Sequence, residues 1–177
     1  MAAYDIRIIG DPVLREPAED VVDIDAALLR VADGMVEAMY RSAGLAVAAP
    51  QVGVRKRMVV YQLPDQDEPG VIINPHIIES GDEQWLHSEG CLSIPGLFWD
   101  VVRPKQVHVT GLDIDGNEVS FEADELEARM YQHELDHLDG ILMLERLDED
   151  QRRDARRAVR ELMMSRRPVA AEGLRFS

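Results

Sequence analysis

The sequence predicts an α+β fold. Three observations support this: an apolar stripe at helical spacing over 26–41, a two-residue alternation flanking a turn signal within 107–121, and two further helical patterns after it. Strands and helices do not alternate strictly, which argues against a doubly wound parallel sheet.

Asp23 or Asp25 is placed to N-cap the first helix, whose stripe is Leu28, Ala32, Met35, Val36 and Met39. Gly44 is expected to close it. Met58 to Leu63 and Gly70 to Ile73 read as short strands, separated by a polar loop with Pro64 and Pro69. Val107, Val109 and Gly111 alternate with His108 and Thr110. Asp115-Gly116-Asn117 then supplies turn chemistry before Val119 and Phe121, so this stretch is a hairpin. Asp124 followed by Glu127 has the form of a capping box opening the next helix, and Gly140 is placed to end it. A last amphipathic helix is expected from about Glu149 to Ser165, with Ala155, Val159, Leu162 and Met163 inward. Pro168 and the small residues after it read as a frayed tail.

At 177 residues the chain is expected to form one domain, with a core over about 1–147 and a helix and tail over about 148–177. That length buries roughly 70% of the unfolded chain's surface. Apolar residues make up 46% and charged residues 30%, ordinary for a globular protein. No stretch has the apolar length of a membrane span, and no secretory signal is visible at Met1 to Arg7. A single cysteine, Cys91, excludes an internal disulfide, and a cytoplasmic location is expected. The formal charge of -15 argues against a general nucleic-acid binder and predicts no direct DNA binding. Residues 152–177 depart from that balance, with eight arginines against Asp154, Glu161 and Glu172. On their own they read as a solvated helix face.

Gln132-His133-Glu134-Leu135-Asp136-His137 contains an H-E-x-x-H pattern on the helix expected after Asp124. Imidazoles four residues apart point the same way and reach one cation, while the adjacent Glu134 can handle a proton from water. A catalytic site of this type needs a third protein ligand. No histidine follows His137, which leaves Glu145 and Glu149 downstream. Upstream, Glu89-Gly90-Cys91-Leu92-Ser93 offers the only thiol, ahead of the loop-like run Ser93-Ile94-Pro95-Gly96. A thiolate is an excellent ligand for a divalent cation. A third segment, Gly44-Leu45-Ala46-Val47-Ala48-Ala49-Pro50-Gln51, combines small residues that permit close backbone approach with an amide donor in Gln51.

These segments resemble, in order, the peptide deformylase signatures G-x-G-x-A-A-x-Q, E-G-C-L-S and Q-H-E-x-D-H. Gly10-Asp11-Pro12-Val13-Leu14 is also similar to the family's N-terminal segment, so the resemblance covers about residues 8–147. It implies mixed or antiparallel sheets around a central metal-binding helix, with an N-terminal and a C-terminal helix. It further implies one divalent metal ion on Cys91, His133 and His137, usually Fe(II) in the cell. The thiolate also permits Zn(II), Ni(II) or Co(II). The implied reaction is removal of the formyl group from N-formylmethionyl peptides. Glu134 would take a proton from water and pass it to the departing amine, and Gln51 with the Leu92 backbone N–H would hold the oxyanion. Gly44 and Ala46 would face the substrate backbone, with Leu45 and Leu126 walling the methionine pocket. Family analogy makes the basic C-terminal helix a candidate for docking on the ribosome near the nascent-chain exit.

One departure from the pattern is Ala46, where the family has its second glycine. It bears on substrate contact and costs little if its φ is negative. Asp136 and Gln132 are expected to orient ligands or the helix, and Arg129 either pairs with an acid near the site or flanks its entrance. Trp85, Phe98 and Trp99 are expected to pack in the core or at a rim, and His87 to be a non-ligand. Rival readings are an endoprotease, in which Cys91 is dispensable, a binding module without catalysis, and a deformylase for a specialised substrate.

Overall fold

The computed structural model describes residues 4–165. Its elements run α1 (Ala26–Arg41), β1 (Ala46–Ala48), β2 (Met58–Tyr61), β3 (Gly70–Ser80), β4 (Gln84–Cys91), β5 (Ile94–Pro104), β6 (Gln106–Leu112), β7 (Glu118–Asp124), α2 (Glu125–Leu138) and α3 (Glu149–Ser165), with short 3-10 turns between some of them. One antiparallel sheet has the order β1-β2-β3-β6-β7, and β4 and β5 form a second sheet of two strands. The α+β expectation holds.

Asp25 caps α1 by accepting the Ala27 and Leu28 N–H groups, at 2.9 and 2.8 Å. Its stripe of Leu28, Ala32, Met35 and Met39 packs with Val47, Met58, Val60 and Ile73 on one face of the large sheet. The alternate residues, Ala46, Ala48, Val59 and Ile72, face the other way, against Ala128, Tyr131 and Leu138 of α2. Both faces of β1 and β2 are therefore covered, which explains their unbroken apolar sequences. The hairpin β4–β5 lies with Leu14, Leu142, Met143, Ala155 and Val159 in a third cluster. The helix α2 consequently sits between the sheet and the hairpin, and every residue from Ala128 to Leu138 is buried.

Several local expectations are corrected. α1 ends on Ala43, not Gly44: Ala43 takes the left-handed conformation at φ 51°, and the Gly44 N–H reaches the Met39 carbonyl. Gly44 serves packing instead, since a Cβ there would stand 2.7 Å from Leu92 Cδ1. Asp124 precedes α2 but makes no side-chain cap, so the expected capping box is absent. At the other end Gly140, at φ 72°, does close α2, with Ile141 N–H bonded to the Asp136 carbonyl. The strand expected at Gly70 to Ile73 runs on to Ser80.

The run Ser93 to Gly96 is not a free loop. Leu92 and Ser93 form a tight turn, and Ile94 already pairs with Cys91. The ladder then resumes at Gly90–Phe98, so Pro95, Gly96 and Leu97 form the bulge that disguised the strand. α3 has the expected bounds and buries Ala155 and Val159, but Met163 is 42% exposed. Pro168 and the expected tail lie outside the described residues.

Candidate metal centre

The buried run in α2 includes Arg129, Gln132, His133, Glu134, Asp136 and His137. So many polar side chains survive burial only with partners. His133 and His137, one turn apart, have ring centroids separated by 5.1 Å. Across from them Cys91 ends β4, with its Sγ 3.1 Å from His137 Nε2. One donor atom from each of Cys91, His133 and His137 lies within 4.8 Å of the others, so the three can hold a single ion. They are the one such group found among the described residues. Glu145, a rival third ligand, is turned away and paired with Arg15 at 2.6 Å.

Burial alone would raise the Cys91 thiol, but His137 and His133 beside it hold it well below its usual range. Burial alone would lower His133, yet Cys91 and Glu89 raise it well above its usual value. A thiolate beside two imidazoles attracts positive charge, which a divalent cation would supply in place of the imidazole proton. The donor set, soft sulfur with two nitrogens, fits such an ion.

Glu89 stands two residues before Cys91 on β4 and accepts from His133 Nδ1 at 3.0 Å, directing Nε2 toward the cluster. The same carboxylate accepts from Arg103 Nε and Nη2, at 2.6 and 3.0 Å, and from Arg129 Nη1 at 2.6 Å. Burial would raise Glu89, but these partners keep it ionised, well below the usual carboxylate range. Arg129 also donates to the Trp85 and Val101 carbonyls and stacks over the Trp85 ring at 4.9 Å. It is thus a clamp between α2 and the hairpin, paired with an acid as one alternative had it. Neither Asp136 nor Gln132 touches a ligand through its side chain: Asp136 accepts from Arg103 and Arg146, and Gln132 donates to the Pro104 and Ala128 carbonyls. Sequence reasoning gave Glu89 and Arg103 no role. Their signals were an acid on the same strand face as the cysteine and an arginine in the apolar run Val101-Val102-Arg103.

Glu134 is buried beside both imidazoles, and its Oε2 has no hydrogen-bond partner. Burial raises its pKa, and His133 and His137 pull it back only in part. A carboxylate poised upward in this way is suited to exchanging a proton. Gln51 Oε1 accepts the Ala48 N–H at 2.8 Å, which turns Nε2 toward Ser93 Oγ at 3.3 Å and Cys91 Sγ at 3.8 Å. The N-terminal segment fixes this arrangement: Arg7 N–H bonds the Gln51 carbonyl, and Ile9 N–H bonds that of Ser93.

A cavity of about 480 Å³ opens over the cluster. Gly44, Leu45, Ala46, Gln51, Cys91, Leu92, Leu126, His133 and Glu134 all line it, so it gathers every expected site residue except His137, which lies beneath. Ala46 has no positive φ, so its Cβ introduces no backbone strain. Phe98 is a rim residue, 67% exposed, while Trp85 and Trp99 are half-buried. His87 is exposed and rests against Trp85, away from the donors.

Residues 3–153 match the family model described as polypeptide deformylase. A peptide deformylase of Parafrankia sp. (strain EAN1pec) is 43% identical over 97% of this chain and 93% of its own. Among solved structures, a peptide deformylase from Legionella pneumophila superposes with a TM-score of 0.86 at 35% identity, covering 94% of this chain and 100% of the other. One from Ehrlichia chaffeensis in complex with actinonin gives 0.87 at 36%, over 95% and 100%.

Proposed function

The chain belongs to the polypeptide deformylase family, and on that premise we propose that its cavity is the site where the N-terminal formyl group of formyl-methionyl peptides is hydrolysed to formate. The observation that carries this is the convergence of Cys91, His133 and His137 within 4.8 Å, under a cavity lined by Glu134 and Gln51. These three residues would hold one divalent ion, Fe(II) in the cell, with Zn(II), Ni(II) and Co(II) as alternatives. When bound, the ion supplies Lewis acidity and lowers the pKa of water toward neutrality.

The protein's own groups supply the rest. Glu134, with an unpartnered carboxylate oxygen, accepts the proton from the attacking water and returns it to the departing amine. Gln51 Nε2 and the Leu92 backbone N–H donate to the oxygen that gains charge as the amide carbon becomes tetrahedral. Leu45 and Leu126, at 42% and 39% exposure, offer apolar wall to a methionine side chain. Gly44 and Ala46 leave room for the substrate backbone. The reading extends to emerging chains in the cytoplasm, with ribosome docking through α3, where Arg152, Arg153, Arg156 and Arg160 outnumber Asp148 and Glu149 in one polar groove. Among the described residues, no helix is long and apolar enough to cross a membrane.

The test is formate release from a short formyl-methionyl peptide by anaerobically prepared, iron-loaded protein, with Glu134→Ala as control. Formate from the parent alone supports the reading; no excess over the control removes it.

A further inference from the structure

The metal ligands come from two separate elements, Cys91 from β4 and the histidines from α2, and an ionic chain joins those elements. Arg103, from β5, spans the gap. Its Nε and Nη2 hold Glu89 on β4, and its Nη1 holds Asp136 Oδ2 on α2 at 3.0 Å. Arg103 is buried, as are Glu89 and Asp136. Asp136 is gripped from its other side by Arg146, which follows α2 in a 3-10 turn and donates through Nε and Nη2 to both carboxylate oxygens. Arg146 is 44% exposed in its side chain and lines, with Arg57 and Arg103, a polar cavity of about 580 Å³ on the far side of α2 from the substrate cavity.

We propose that Arg146, acting through Asp136, Arg103 and Glu89, is a positioning residue that sets how tightly His133 is held as a metal ligand. Each link is a charge-assisted hydrogen bond within a largely buried series, so the geometry of one member constrains the next. With Arg146 in place, Asp136 has two cationic partners and stays fixed on the helix. Arg103 can then satisfy Asp136 with one nitrogen while presenting its other two to Glu89. Without Arg146, Asp136 has only Arg103 to neutralise it and draws that guanidinium toward itself. The bidentate contact with Glu89 loosens, and with it the carboxylate that orients His133. Arg146 touches neither substrate nor metal ligand, so its effect appears in metal retention.

The proposal rests on the metal reading above, and the experiment separates the two. Full-length protein is loaded with Co(II), and its loss to excess chelator is followed through the thiolate-to-cobalt absorption. Arg146→Met is expected to release Co(II) about tenfold faster, the low end of what loss of outer-shell support commonly does. Asp136→Asn should act in the same direction, and Arg146→Lys should restore part of the retention. In a Glu89→Gln background, where the last link has lost its charge and one of its two acceptors, Arg146→Met should add little. Unchanged release in both Arg146→Met and Asp136→Asn overturns the proposal, as does an undiminished Arg146→Met effect in the Glu89→Gln protein. Should Arg146→Met fail to fold, the near-isosteric Asp136→Asn decides alone. Parent protein that takes up no Co(II) contradicts the metal reading instead.

Discussion

Glu89 Oε2 lies 3.0 Å from His133 Nδ1, and Glu89 stands two residues from Cys91 on the same strand. One carboxylate thereby holds a candidate ligand from α2 in register with a candidate ligand from β4. Its remaining hydrogen bonds come from Arg103 and Arg129, so the carboxylate is fixed from three sides.

Acid should dissolve this tie. Glu89 is held below its ordinary value of 4.5 in the folded protein, so the unfolded chain binds more protons there and stability rises with pH. The contribution is fully present above about 4.5 and is lost as the pH falls toward the folded value. Thermal melts of the metal-free protein should show Tm dropping below that pH, and Glu89→Gln should flatten this limb. The same variant should lose about 3–5 kcal/mol near neutrality, because two buried arginines are left short of charge. An equally steep limb in the variant would assign the acid sensitivity to other groups.

Gln51→Ala should lower kcat for deformylation by about 10²–10³, the usual loss when one oxyanion donor is removed, with metal content unchanged. A modest loss of stability, about 1–3 kcal/mol, should accompany it, since the Ala48 N–H loses its buried acceptor. Steady-state rates and metal analysis on the same sample separate the two effects.

Gly44 and Ala46 should differ in how activity responds to exchange of alanine and glycine. Gly44→Ala places a methyl 2.7 Å from Leu92 Cδ1, crowding the side chain of the residue whose backbone N–H is the proposed second oxyanion donor. Overpacking of this kind commonly costs about 1–3 kcal/mol, and kcat should fall with it. Ala46→Gly relieves no strain, because the backbone there is ordinary strand. It should destabilise by roughly 0.5–1 kcal/mol and leave kcat/KM nearly unchanged.

Metal analysis should distinguish sulfur from the downstream carboxylates. Cys91→Ala should bind far less metal than the parent. Glu145→Gln should bind as much, and lose only about 0–1 kcal/mol from an exposed pair with Arg15. Retained metal in Cys91→Ala together with loss in Glu145→Gln would reverse the ligand assignment.

What the sequence revealed follows from which interactions are local. The cap at Asp25, the span of α3 and the Gly140 stop are decided within a few residues, and all were legible. His133 and His137 carry their spacing in the helix itself. The hairpin β4–β5 was hidden because Pro95 and Gly96 are turn formers, and here they sit in a bulge whose flanks, Ile94 and Phe98, pair with Cys91 and Gly90 across the hairpin. Ala43 rather than Gly44 takes the left-handed position after α1, while Gly44 packs against Leu92. Asp124 looked like a cap because composition does not reveal where a side chain turns. Arg103 stood out as an arginine in an apolar run, but its pairing was illegible for a deeper reason. Its partners Glu89 and Asp136 are 14 and 33 residues away, and no local pattern encodes that meeting.

The most direct measurement is mass spectrometry of a long formyl-methionyl peptide after incubation with metal-loaded protein, beside the same peptide without its formyl group. The site described here predicts one change only, loss of the formyl group from the first peptide, with every internal bond intact and the second peptide untouched. Internal fragments from either peptide, or a formylated peptide recovered unchanged, would contradict it.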